Sequence, residues 1–99
     1  MTYIDPTQVS PNVYKEILDN EHVRVLEMTL PAGQSDEMHS HNNETAYFIT
    51  GSKAKIHMPD GNFAELDIPD GFVMWHEAWT HRVENVGDKP IRAIVVEPK

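Results

Sequence analysis

The sequence contains no cysteine, which excludes disulfides, thiolate metal sites and cysteine nucleophiles together. No apolar run approaches the roughly 18 residues that a membrane-spanning helix requires, so no membrane partner is expected. Basic residues are scarce: eight Lys and Arg stand against sixteen Asp and Glu, a formal charge of −8. That balance repels phosphate backbones and argues against nucleic acid as a partner. The start, Met1-Thr-Tyr-Ile-Asp-Pro6, has neither a basic cluster nor an apolar stretch, so it predicts no signal peptide, and a cytoplasmic protein is the expectation. A P-loop, a Gly-rich dinucleotide fingerprint and a Ser-His-Asp order are all missing.

What is present reads as β-structure. The 99 residues suit one domain, 1–99, and a chain this short gains from pairing with a second copy. Residues 1–11, with Pro6 and Pro11 and no clear period, predict an arm or edge extension, and residues 12–99 the folded body. Strands are predicted at 14–18 and at 22–30. In the second, Val23, Val25 and Glu27 face one way and His22, Arg24, Leu26 and Met28 the other. Pro31-Ala-Gly33 is a turn, and 45–50 a β-branched and aromatic strand ended by Gly51. Pro59-Asp-Gly61 joins 53–58 to 62–68 as a hairpin, and Pro69-Asp-Gly71 turns into 72–75. Strands at 80–85 and 91–97 follow, separated by Gly87-Asp-Lys-Pro90. Roughly eight short strands without a helical period describe an all-β sandwich or barrel.

The chemistry lies in the histidines. His39 and His41 are two apart, so on a strand both point to one face while Ser40 points away. Glu44 follows, and His81 comes forty residues after His41. If Glu44 faces inward, Ala46, Phe48 and Thr50 share its side, and Thr45, Tyr47 and Ile49 point outward. Likewise His81, Val83 and Asn85 lie together. Imidazoles and a carboxylate among apolar groups are costly without a partner for their lone pairs. A divalent ion (Fe, Mn, Ni, Cu or Zn) resolves that cost.

These residues resemble the two motifs of the cupin superfamily. Gly33, His39, His41, Glu44 and Gly51 fit G-x5-H-x-H-x3,4-E-x6-G, except that only two residues separate His41 from Glu44. Pro69, Gly71, His81 and Asn85 fit G-x5-P-x-G-x2-H-x3-N with a longer gap after Gly71, and seven residues instead of five separate Gly61 from Pro69. Val13-Tyr-Lys, His22-Val-Arg-Val-Leu-Glu27, the Trp75-to-His81 spacing and Val95-Val-Glu97 resemble small stand-alone bacterial cupins. The resemblance implies an RmlC-like double-stranded β-helix, or jelly-roll barrel, holding one divalent transition metal on His39, His41, Glu44 and His81. Because the loop before Glu44 is one residue short, two arrangements stay open. Either Glu44 is the fourth ligand, or the site has three histidines and Glu44 serves as a base or faces solvent.

The other candidates read more blandly. His76, in Trp75-His-Glu-Ala-Trp79, is expected to be a solvated loop residue, with substrate contact as the alternative. His22 and His57 are read as structural. Trp75 and Trp79 line a pocket or serve as core or interface aromatics. Met28, Met38, Met58 and Met74 are packing residues, and Arg82 points outward, opposite to His81. The resemblance implies a metal-dependent, dioxygenase-like enzyme acting on a small chelating substrate such as a diketone, enol or catechol-like compound. A non-oxidative isomerase, lyase or decarboxylase, or a non-catalytic ligand-binding module, are the alternatives. A homodimer is expected from small size and the same resemblance.

Overall fold

The computed structural model describes residues 2–99; Met1 of the expected arm lies outside the described residues. Two antiparallel sheets face each other. The first contains β1 (Tyr14–Asp19), β2 (Val23–Leu30), β4 (Glu44–Thr50), β7 (Val73–His76) and β9 (Ile91–Pro98), in the order β1-β2-β9-β4-β7. The second contains β3 (His39–His41), β5 (Lys53–His57), β6 (Phe63–Asp67) and β8 (Trp79–Asn85), in the order β3-β8-β5-β6. The ninth strand beyond the eight expected is the three-residue β3, too short to show a period of its own. No helix among the described residues is long and apolar enough to cross a membrane.

The alternation read from the sequence sets which faces meet. On β2, Leu26, Met28 and Leu30 are buried while Val23 and Val25 are half-buried on the other side. On β4, Glu44, Ala46 and Phe48 point inward, and Tyr47 and Ile49 are exposed. The alternation stops at a bulge between Phe48 and Thr50, so Thr50 does not continue the inner row. Ile91, Ala93 and Val95 from β9, with Ala54, Ile56 and Val83 from the second sheet, complete the core. His81, Val83 and Asn85 are all buried on one side of β8, as their spacing predicts.

The N-terminal arm carries one short helix, α1 (Pro6–Val9). Asp5 caps it by accepting from the Thr7 N–H, and Pro6 occupies the first turn, where a missing N–H costs nothing. The arm then fastens to β3: Ile4 N–H donates to Ser40 Oγ and Ser40 N–H donates to the Ile4 carbonyl. Arg24 ties it from β2, donating to Asp5, Thr7 and Tyr3 as well as to Glu16. Ser40, which points away from the core, thus anchors the arm behind the strand that presents the histidines.

Candidate metal centre

His39 and His81 face each other across the β3–β8 pairing, and His41 pairs with Trp79. Strand register therefore joins residues forty positions apart into one cluster. All three histidines are buried, and one ring nitrogen from each lies within 4.8 Å of the others. Their ring centroids are 4.8 Å (His39–His41), 4.8 Å (His39–His81) and 5.4 Å (His41–His81) apart.

Hydrogen bonds behind the rings fix which nitrogen faces the cluster. His39 Nδ1 lies 2.7 Å from the Glu37 carbonyl, an acceptor only, so Nδ1 carries the proton. His41 Nδ1 lies 2.9 Å from Glu97 Oε2, and donates in the same way. In the neutral rings both Nε2 atoms are then lone pairs, yet they sit 3.0 Å apart. Burial and the neighbouring His41 push His39 down to about 4. Burial and the other histidines hold His81 well below the ordinary imidazole value. These two rings are neutral near pH 7, the state in which an imidazole binds metal.

Two further observations test the fit. Both ring nitrogens of His81 are buried without a hydrogen-bond partner, an arrangement that leaves a full desolvation penalty uncompensated. Tyr14 Oη lies 3.0 Å from Asp36 Oδ2 and 3.2 Å from His39 Nε2, so its one proton serves two acceptors. A divalent cation among these rings would take the lone pair of one His81 nitrogen and that of His39 Nε2, leaving the Tyr14 proton to Asp36, and the three imidazoles fit such an ion.

Glu44 comes from the opposite sheet. It is buried, and its Oε2 accepts the Trp79 Nε1–H at 2.6 Å. Its carboxylate is not among the atoms gathered at the three histidines. Burial raises its pKa, against the opposing influence of His41 and the Trp79 N–H. Glu44, His41 and His81 line a common interior space.

Several supporting groups escaped the sequence reading. Glu97 ends the inward row Ile91, Ala93, Val95 on β9, and a carboxylate at such a position was itself a signal. Asp36 lies in an irregular segment where no period marks it; burial raises it to about 7. His76 is not in a loop: it ends β7, opposite Glu44, and its ring stacks on Trp79 at 3.5 Å. Trp79 lines the interior space, packs against the core and carries the Glu44 contact, whereas Trp75 is 58% exposed. His57 bonds Glu84, and His22 lies exposed just before β2 instead of within it. Met28, Met58 and Met74 pack as expected, and Arg82 points outward to Ser35.

No family model matches the chain, and no curated protein matches it. Solved structures do. A cupin domain from Bordetella pertussis Tohama I is 22% identical with a TM-score of 0.79, over 100% of this chain and 98% of that one. An RmlC-like cupin family protein with a double-stranded β-helix fold, from Methanocaldococcus jannaschii, is 17% identical with a TM-score of 0.66, over 87% and 78%. A polyketide cyclase from Streptomyces resistomycificus is 20% identical with a TM-score of 0.60, over 86% and 63%. With its two facing antiparallel sheets and inward histidines, the chain has the double-stranded β-helix fold of a small cupin.

Proposed function

We propose that the protein is a metal-dependent enzyme with dioxygenase-like chemistry on a small chelating organic substrate. One divalent transition metal would be held by His39, His41, His81 and Glu44. The observation that carries this reading is the buried, unpartnered His81 ring facing two imidazoles whose tautomers are already set. Trp79 bonds only Oε2 of Glu44, so Oε1 keeps capacity for a metal. When bound, a redox-active ion such as iron or copper supplies Lewis acidity and electron transfer to dioxygen. The chain's own residues orient the imidazoles through Glu37 and Glu97 and surround the reacting groups with apolar side chains.

Elemental analysis of protein purified without added metal or an affinity tag tests the site. Near-stoichiometric iron, manganese, nickel or copper, lost in a His39→Ala/His41→Ala variant, is the expected result. No metal, and none taken up on reconstitution, would overturn the proposal. Glu44→Gln is expected to lose much of the bound metal; unchanged occupancy would remove Glu44 from the ligand set. Oxygen uptake that depends on both metal and substrate then identifies the reaction class.

A second reading, a non-oxidative isomerase, lyase or decarboxylase, draws support from the polyketide cyclase that shares the fold. Turnover that continues without oxygen, with zinc sufficing, would favour it. Ligand-induced stabilisation without product would instead indicate a binding module. We further propose that the protein acts as a homodimer, a reading supported by the exposed Tyr47, Val73 and Trp75 side by side on β4 and β7.

A further inference from the structure

The interior beside the histidines is a cavity of about 70 Å³, room for about two waters at roughly 30 Å³ each. Its wall is apolar away from the metal-binding end, where Tyr14, Glu44, His41 and His81 contribute the polar groups. Phe48, Ile56, Ile68, Leu66, Phe72 and Met74 form much of the rest, and no Lys or Arg lines it among the described residues. An anion entering here would lose its hydration with no cationic side chain to receive it, and a metal at the histidines would have part of its own charge offset by Glu44. The carboxylates of Glu44 and Glu97 and the net charge of −8 add repulsion.

The cavity also has a mouth. β6 and β7 are edge strands of the two sheets, joined by only residues 68–72, and both contribute to the cavity wall. Ala64 and Leu66 pair with Ile56 and Ala54, both buried, so their side chains belong to the inner face of the second sheet. Yet every residue of β6 is exposed. The first sheet does not cover this inner row, and the sandwich is open there. Leu66 (47% exposed) and Phe72 (42% exposed) each touch both solvent and the cavity.

Resting on the metal site proposed above, we propose that this cavity is the substrate chamber, entered between the β6 and β7 edges past Leu66 and Phe72. It selects an uncharged molecule with a small apolar body and its chelating oxygens at one end. The oxygens face the histidines, while the body lies against Phe48, Ile56 and Ile68. Leu66 and Phe72 are then specificity-determining residues at the entrance.

Two probes of similar size and shape separate the ligand classes. Pentane-2,4-dione is uncharged with methyl ends, and malonate carries carboxylates in place of its methyl ketones. Calorimetric titration of nickel-reconstituted protein is expected to show the diketone binding at least about tenfold more tightly. Leu66→Glu, at an exposed position, should weaken diketone binding by a similar factor with nickel content unchanged. Equal or tighter binding of malonate, no binding of either probe, or an unaffected Leu66→Glu variant would overturn the proposal. If nickel itself fails to bind, the metal site fails, and the chamber is read separately in the metal-free protein. Xenon should then give saturable shifts of the Ile56 and Ile68 methyl resonances, and no such shifts would overturn the chamber.

Discussion

Glu97 and Asp36 show how single side chains prepare the site from behind. Glu97 accepts the Nδ1 proton of His41 and so aims the opposite lone pair at the cluster. Gln in its place keeps the shape but removes the charge, and outer partners of this kind typically contribute 10–100-fold in affinity, so Glu97→Gln should weaken metal binding by about that factor. Competition against a chromophoric chelator measures it, and an unchanged affinity would deny Glu97 that role. Asp36 predicts a pH effect. Burial lifts its pKa from 3.8 to about 7, so the folded state favours its protonated form. Its contribution is fully present below about pH 4 and is lost as pH rises through about 7. Asp36→Asn removes that loss, so the variant's stability relative to wild type should climb between pH 4 and 7 by up to about 1.4 kcal/mol per unit. Urea unfolding in the presence of chelator gives the slope, and a flat difference would show that Asp36 ionises in the fold without penalty. The three clustered histidines were legible from a short motif, and the inward face of Glu44 from a period of two, whereas Tyr14 and Asp36 depend on contacts between segments that no local pattern encodes.

At the scale of elements, the alternation in the sequence translates directly into β2, β4, β8 and β9, because each has one face in the core. β3 and the β7–β8 junction did not. A three-residue strand has no period, and only the pairings His39↔His81 and Glu44↔His76 reveal what these short pieces accomplish. Glycines at the ends of elements carry separate demands. A Cβ on Gly51 would stand 1.8 Å from the Ile68 carbonyl oxygen, so the backbone itself must move to admit it. Gly51→Ala should destabilise the fold by about 1–3 kcal/mol, the usual range for forced overpacking. Gly33 has open space but a φ of +77°, and alanine there should lose only about 1–2 kcal/mol through left-handed strain. Chemical denaturation of the two variants compares them, and a neutral Gly51→Ala would contradict the close approach of the two chain segments.

For the molecule as a whole, the apolar outer face of β4 and β7 leads to an oligomer prediction. Trp75 at 58% and Val73 at 60% exposure lie on an edge strand, beside Tyr47 at 49%. A patch of that character on a small domain usually marks an interface. Light scattering after size exclusion should give twice the mass of one chain, and Trp75→Lys should shift it toward the monomer; a monomeric wild type would sink the dimer. β9 comes last among the nine strands, yet it lies in the middle of its sheet, between β2 and β4. Until it is synthesised, β1–β2 and β4–β7 are two separate hairpin-like pairs with no hydrogen-bonded link, and His41 lacks its carboxylate. Assembly of the barrel therefore waits on the ribosome, and in the interval β2 and β4 offer open edges to any neighbouring chain.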